Sequence, residues 1–339
     1  MRPSRRAAVL VIAGVVMSAL HDSVLHAAVS GEVTAGYQQT DVTTAADGKV
    51  SERFERYGEH PEGVVLEDVD LLVTGEGGHA SITASRVGSN DAAYGFSYLA
   101  PDKLRLTIGL KQTPHLYSND ARSLHALVGD DHMQVNLSSA QRDWSVYSST
   151  ELPALLERAL PVRVDSRLTQ AELDLEYKYM AGGTFYVGAS QQQLKGRSPL
   201  SMAFTSASTE LAIPLDEVTD QAYAQIDFAS EFAAYSLRYD VSAFGNKIEE
   251  VRGDNPREVE TGSISRAPDN IAHQGTMLTT FKMPAFGLSL SAEGSYGVMQ
   301  QNRPLSPYSR NSLASGAPFD VSDSSNVAMY DAQNRMDTL

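Results

Sequence analysis

The chain has 339 residues and a formal net charge of −15 at pH 7, which argues against a nucleic-acid partner because phosphate binding requires a basic face. It contains no cysteine, which excludes disulfides, thiolate zinc sites, a cysteine nucleophile and any c-type haem attached to this chain. The length is enough for one large domain or two smaller ones whose hydrophobic cores are stable without covalent cross-links.

The first 28 residues are predicted to be a secretory signal peptide. The segment opens with the positively charged "MRPSRR", continues with an apolar run over residues 7–20, and is followed by small residues at Ala27, Ala28 and Ser30. The apolar run is shorter than the ~20 residues that a spanning helix requires, and an uncleaved anchor is the alternative. Cleavage would export residues 29–339, and an exported chain without cysteine fits the periplasm or outer membrane of a Gram-negative cell.

Beyond the signal, apolar and polar residues alternate along most of the chain. In "AELDLEYKYM" and "YSLRYDVSA", leucine, tyrosine and valine take every second position. The charged residues between them are Glu172, Asp174, Glu176, Lys178, Arg238 and Asp240. This period of two is typical of a β-strand with one apolar and one polar face.

In chain order, the alternation predicts eleven strands, several of them near the ~9–11 residues that a tilted strand needs to cross a bilayer. They lie at roughly 31–41, 65–74, 79–88, 92–99, 104–112, 170–180, 184–191, 221–230, 232–244, 273–283 and 286–299. "HMQVNLS" and "WSVYSS" predict one further hairpin, which gives about 11–13 strands, and "ELPALLERAL" (151–160) predicts a short amphipathic helix.

The links between these strands alternate between short and long. "APDK", "AGG" and "PA" join strands into hairpins, while long segments at 42–64, 113–169, 192–220 and 245–272 separate the hairpins. Outer-membrane barrels have short periplasmic turns and longer external loops. The predicted fold is therefore all-β, an antiparallel up-and-down transmembrane β-barrel over residues 29–339. A soluble β-sandwich, whose strands also have one wet face, is the alternative.

No stretch predicts an active site, and the chain is not expected to be an enzyme or to hold a metal. "SRAPDNIAHQG" places Asp269 and His273 four residues apart, but Pro268 favours a turn into the next strand over a metal or acid–base pair. "TPHLYSNDARS" (113–123) reads as a strand-terminating loop, with a ligand contact as the alternative. Glu59 and His60 in "YGEHPEG" are metal-ligand types without metal-ligand spacing.

Three segments nevertheless resemble a known family. "FERYGEHPEGVVLEDVDL", "LRLTIGLKQTPHLYSNDARS", and "SLRYDVSAFGNKIEEVRGDNP" with the following "APDNIAHQ" and "SYGVMQQNRPLSP" are similar to segments of the decahaem-associated outer-membrane barrels of the MtrB/PioB type. The matching loop residues are Pro114, His115, Ser118, Pro268, Asp269, Asn270 and His273. The motifs occur in the family's order.

The resemblance implies an outer-membrane barrel that sheathes a periplasmic multihaem c-type cytochrome and passes electrons to or from an external multihaem cytochrome, mineral or soluble acceptor. Haem would be carried by the partner, with no cofactor on this chain, and membrane lipid would surround the barrel. The six charged residues of the alternating strands would face the partner from the lumen. A general diffusion porin and a soluble or surface β-rich adhesion protein are the alternatives.

Two departures from the family shape the expected architecture. Family members are longer than this chain, and some carry a cysteine pair near the mature N-terminus that is absent here. The sequence ends "NVAMYDAQNRMDTL", without the aromatic terminal residue that outer-membrane barrels usually present. The expectation is therefore the N-terminal half of a larger barrel, truncated at the C-terminus, with sheet edges that lipid would not tolerate unpaired.

Overall fold

The computed structural model describes residues 27–39, 56–57, 62–137, 157, 159–204, 208–257 and 261–301. Its strands are β1 (Ala28–Gln38), β2 (Gly63–Gly75), β3 (Gly78–Val87), β4 (Ala93–Ala100), β5 (Leu104–Ser118), β6 (Arg122–Ser123), β7 (His125–Val128), β8 (His132–Val135), β9 (Leu160–Pro161), β10 (Val164–Met180), β11 (Gly183–Ala203), β12 (Ser208–Ala229), β13 (Ala233–Asn246), β14 (Glu250–Asp254), β15 (Thr261–Ser265), β16 (Asn270–Met283) and β17 (Leu288–Gln301). A 3-10 turn, Pro284–Phe286, links the last two. No helix in these ranges has the length and apolar character needed to cross a membrane.

One large sheet dominates the structure. Eleven strands pair in the order β1-β2-β3-β4-β5-β10-β11-β12-β13-β16-β17, and each pair is antiparallel. The up-and-down order and the eleven predicted strands are confirmed. Among the described residues the sheet does not close, since β1 and β17 form its two edges.

The two faces of the sheet differ as the alternation predicts. Leu173 of β10 lies directly opposite Ile108 of β5 and Ala189 of β11, and directly opposed side chains project to the same side of a sheet. The next row on that side contains Leu175, opposite Leu106. Nothing in the described part of the chain covers this apolar face: Leu237 is 55% exposed and Leu290 is 62% exposed. An exposed apolar face of this kind is suited to contact with lipid.

Short turns gather at one end of the sheet, which we call the turn end; the opposite end is the loop end. The turns comprise residues 76–77, 101–103, 181–182, 230–232 and 284–287. At Gly182 the backbone adopts φ 77° and its carbonyl accepts a hydrogen bond of 2.7 Å from the Ala229 N–H. An added Cβ there would collide with the Ala229 carbonyl, so this turn requires glycine.

At the loop end, several strands are longer than predicted. The segment 192–220 was predicted to be a long loop, but most of it is strand: β11 continues through Ala203 and β12 begins at Ser208, so these strands have 21 and 22 residues. At ~3.3 Å per residue such strands are roughly 70 Å long, far beyond the ~30 Å hydrocarbon thickness of a membrane. The hairpin therefore extends well past the part of the sheet that lipid can cover.

A small second sheet packs against this extension. Its strands have the order β15-β14-β8-β7, with β14 and β8 parallel. Together with the ends of β11 and β12 it forms what we call the loop-end subdomain. Its hydrophobic core consists of Met133, Met202, Phe204, Leu211, Ile213, Ile248 and Val251. Apolar side chains there are enclosed by protein, as in a soluble domain.

The other predictions for this region are either partly wrong or lie outside the described residues. "HMQVNLS" does supply a strand, but β8 pairs with β7 and β14, so it does not add to the large sheet as predicted. Its predicted partner "WSVYSS" lies outside the described residues. The predicted helix at 151–160 also lies largely outside them, and its last residue, Leu160, begins β9. The signal peptide at 1–28 lies outside the description except for its last two residues.

Candidate functional site

The polar face of the large sheet carries all six charged residues that were predicted to face the lumen. Glu172 and Asp174 of β10 lie opposite Ser190 and Gly188 of β11. Further along the same face, Asp240 of β13 lies opposite Tyr223 of β12, and Gln274 of β16 lies opposite Asp240. The remaining predicted members, Glu176, Lys178 and Arg238, follow at every second position.

A cluster around Tyr223 connects three of these residues. The Tyr223 hydroxyl donates a hydrogen bond of 2.8 Å to Asp174 Oδ1, and the Arg238 guanidinium lies 4.1 Å from the centre of the Tyr223 ring. Arg238 also donates to both carboxylate oxygens of Asp240, at 2.7 Å and 2.9 Å. The aromatic ring, the guanidinium and the two carboxylates therefore hold one another against the wall.

The Tyr223 bond passes over a glycine. Asp174 is on β10 and Tyr223 is on β12, so their bond crosses the intervening strand β11 at Gly188. A Cβ at Gly188 would lie 2.6 Å from Asp174 Oδ1 and would collide with the Tyr223 ring. Sequence reasoning missed both residues, although Tyr223 takes a polar position in the alternation of "QAYAQIDF".

Two neighbouring grooves lie along this face, with volumes of about 600 Å³ and about 670 Å³. The first is lined by Asp174, Tyr223 and Arg238, the second by Asp70 and Thr83, and Glu172 lines both. The two grooves are therefore adjacent, and we call them together the trough. No group of three or more metal-ligating side chains suited to a metal ion occurs in the described ranges.

The charge of the polar face is negative within the spanning part of the sheet. The cross-strand pairing places these acidic residues on it: Glu32, Asp68, Asp70, Glu172, Asp174, Glu176, Asp227, Asp240 and Glu293. The basic residues on it are fewer: Arg105, Lys111, Lys178, Arg238 and Lys282. The acidic surplus of the chain is thus present on the face that would line a lumen.

Two family motifs meet at the loop end of β5. The Leu116 N–H donates to the Arg56 carbonyl at 2.9 Å, and the His115 ring stacks on Tyr57 with centroids 4.7 Å apart. Burial, followed by the charge of Arg56, lowers the pKa of His115. The segment was predicted to be a loop, but β5 continues through Pro114 and ends at Ser118. The motif therefore extends a strand and anchors the segment that precedes β2.

The third motif is architectural, as the turn interpretation predicts. Asp269 Oδ1 accepts a hydrogen bond of 2.7 Å from the Asn246 backbone N–H across the loop, and the Asn270 side chain donates to the Pro268 carbonyl at 3.3 Å. His273 contacts a different partner: its Nδ1 lies 2.6 Å from the Tyr239 hydroxyl, on the apolar face. Asp269 and His273 therefore do not converge on a common ligand.

The loop-end subdomain is joined by side chains that sequence reasoning missed. His132 Nε2 lies 2.9 Å from Asp254 Oδ1, and His125 Nε2 lies 2.8 Å from the Asp254 carbonyl. The His125 and Asp254 residues are 5% and 6% exposed. These bonds link segments more than a hundred residues apart, which no local spacing could reveal.

An ion-pair group at the base of this subdomain predicts a pH dependence. Asp216 lies 2.8 Å from Lys247 Nζ and 3.6 Å from Lys195 Nζ. Burial raises the pKa of Asp216, but the hydrogen bond from Lys247 and the charges of both lysines outweigh burial and leave that pKa below its usual 3.8. A depressed carboxyl pKa stabilises the fold above the unfolded-state pKa, and the stabilisation is lost as pH falls through the folded-state value.

We therefore expect Asp216→Asn to destabilise the loop-end subdomain at pH 7, and we expect this effect to shrink as the pH falls below 3.8 through the folded-state pKa. Limited proteolysis of the detergent-solubilised protein, with each variant compared with the wild type at the same pH, measures the difference. Asp165→Asn is the matched control, because Asp165 and its partner Arg163 have side chains that are 48% and 59% exposed and such pairs contribute little. Equal sensitivity of the two variants at pH 7 would contradict the stabilising role of Asp216.

Comparison with known proteins agrees with this fold. A family model described as "Putative outer membrane beta-barrel porin, MtrB/PioB" matches residues 44–338. The chain is 24% identical over 244 residues to "Outer membrane protein MtrB" of Shewanella baltica (strain OS185), and the match covers 70% of this chain and 34% of that protein. This chain thus spans about a third of the length of that relative.

Two solved structures of an outer-membrane protein also align with the chain. OmpT of Vibrio cholerae aligns with a TM-score of 0.32 and 9% identity, covering 70% of this chain and 55% of that one. A loop L8 deletion mutant of the same protein aligns with a TM-score of 0.31 and 8% identity, covering 80% of this chain and 69% of that one.

Proposed function

The chain belongs to the MtrB/PioB family of outer-membrane β-barrel porins, and from this membership we propose that it forms barrel wall that sheathes a periplasmic multihaem c-type cytochrome across the outer membrane. It is an outer-membrane protein of a porin family, which is not an enzyme class. In the proposed complex the partner's haems carry the electrons towards an external acceptor. This chain supplies a boundary that is compatible with both lipid and protein.

The polar face is the observation that supports this proposal. A water-soluble cytochrome has a polar surface that hydrocarbon cannot accommodate. The large sheet presents lipid-compatible residues such as Leu173 and Leu237 on one side, and a trough lined by Glu172, Asp174 and Asp240 on the other. A wall of this kind allows a folded polar protein to lie at membrane depth without contact with lipid.

Purification from the native cell tests the proposal. We expect the tagged chain, extracted from outer membranes in mild detergent, to co-elute with a second protein that stains for haem peroxidase activity after electrophoresis. This chain itself should not stain, because it has no cysteine for haem attachment. The measurement is the haem-stained band and its ratio to this chain.

Two other results would contradict the proposal. Pure chain that conducts ions in planar bilayers and brings no haem protein through purification would indicate a general diffusion porin. Chain that leaves the membrane fraction on carbonate washing would indicate a surface-associated adhesion protein.

A further inference from the structure

We propose that the polar face from β2 to β13 is a flat, acidic docking surface for a folded protein with a basic surface, and that Gly95, Gly109 and Gly188 keep it flat. We call this surface the lumen seat. The inference rests on the proposed function and adds the chemistry of the partner surface that this wall contacts.

The first part of the lumen seat is a pair of glycines in one row. Gly95 of β4 lies directly opposite Gly109 of β5, and this row continues to Thr83 on one side and Glu172 on the other. A Cβ at Gly109 would lie 2.6 Å from Glu172 Oε1, and a Cβ at Gly95 would lie 2.5 Å from Thr83 Oγ1. The Glu172 and Thr83 side chains therefore lie over the glycines and do not project away from the sheet.

The second part is Gly188, over which Tyr223 and Asp174 are joined by their hydrogen bond. The Tyr223 ring is the largest side chain of the cluster, and Arg238 stacks against it. Bonding across the glycine turns the ring towards the wall. The largest side chains in this part of the trough are thus held against the sheet.

Glycine alone does not produce this arrangement. On the apolar face, Gly275 of β16 and Gly294 of β17 also lack side chains, yet nothing lies within 4 Å of the Cβ that either would carry. Gly275 and Gly294 are thus uncovered, in contrast to Gly95, Gly109 and Gly188. Pores that select small solutes are narrowed by rings of side chains that project into the lumen. A wall without projecting side chains instead allows the backbone to come close to a bulky occupant.

Charge then identifies the kind of occupant. Carboxylates outnumber basic groups on this face, and Arg238 is already bonded to Asp240. A partner that lies against this surface needs lysine or arginine side chains for electrostatic complementarity. Such contacts would be weakened by salt, because exposed charges are screened over roughly 10 Å at 0.1 M ionic strength.

Substitutions in the full chain in its native cell test the lumen seat. We expect Gly109→Leu and Gly188→Leu to lower the ratio of co-purified haem protein to this chain by about tenfold, equivalent to ~1.4 kcal/mol. The matched controls Gly275→Leu and Gly294→Leu add the same side chain on the lipid face and should leave the ratio unchanged. Folding of each variant is checked by its heat-modifiable migration in electrophoresis.

A second set of variants removes charge from the polar face without adding bulk to its side chains. At low salt, Glu172→Gln and Asp70→Asn should each lower the ratio of co-purified haem protein to this chain. Added NaCl should then lower this ratio by less than it does for the wild type. These variants test the lumen seat even if a glycine variant fails to fold. Wild-type ratios in the folded leucine variants, or a salt response in the charge variants equal to that of the wild type, would overturn the lumen seat and leave the proposed function standing. Wild-type chain that brings no haem protein would overturn both.

Discussion

Replacement of Leu237 by arginine is expected to lower the amount of folded chain in the outer membrane. Leu237 is the fifth residue of β13, in a row with Ile226 and Met277 on the apolar face, and is 55% exposed. An arginine on the lipid face of a barrel costs ~2–4 kcal/mol at the membrane midplane. Since folded proteins have net stabilities of ~5–15 kcal/mol, that loss is a large fraction of the total. The measurement is the heat-modifiable folded fraction in isolated outer membranes.

The control lies one residue away on the same strand. Ser236 is on the polar face, directly opposite Asp227, so Ser236→Arg places the same side chain beside a carboxylate and away from lipid. We expect the folded fraction of this variant to match that of the wild type. Equal losses at both positions would contradict the two-face assignment, and no loss at Leu237 would mean that this face does not meet lipid.

The large sheet was predictable because its signal is local. In a strand, each residue's face follows from its position alone, so the alternation in 170–180 predicted the strand and its polar side without knowledge of the neighbours. The turn end was predicted closely for the same reason: β10 ends at Met180 and β11 begins at Gly183 around a two-residue turn, and short glycine-containing links identify such turns.

The loop end was predicted poorly because its structure depends on distant segments. The extensions of β11 and β12 have weak alternation, and several of their residues, among them Met202, Leu211 and Ile213, are buried in the core of the loop-end subdomain. Val251 and Met133 complete the same core from far along the chain. Hydrophobic clusters of this kind become visible only when the strand pairing is known.

The cluster around Tyr223 was predicted only in part. The sequence predicted which charged side chains share a face, including Asp174 and Arg238. It did not predict that Tyr223 joins them, because their contact requires the register across β10, β11, β12 and β13. Gly188 had no individual signal, since its role comes from the two side chains above it. The partner role of these residues stays a prediction.

Truncation of Leu211 to alanine is expected to open the loop-end subdomain while the large sheet stays folded. Leu211 is 1% exposed, belongs to the core with Met202 and Val251, and lies over Gly253, where an added Cβ would be 3.0 Å from Leu211 Cδ1. Removal of a buried leucine side chain costs ~2–5 kcal/mol through lost burial and the remaining cavity. A subdomain with one small core can open locally, because stability is distributed unevenly across a structure.

Protease added to intact cells measures this opening. We expect Leu211→Ala to expose cleavage sites within residues 247–269, while its heat-modifiable migration stays that of the wild type. Val128→Ala is the control, because Val128 of β7 belongs to the same subdomain but is 48% exposed, and its truncation leaves no enclosed cavity. Wild-type protease resistance in Leu211→Ala would contradict the assignment of this cluster as the core that holds the subdomain closed. Loss of the folded band in that variant would show that the subdomain and the large sheet unfold as one unit.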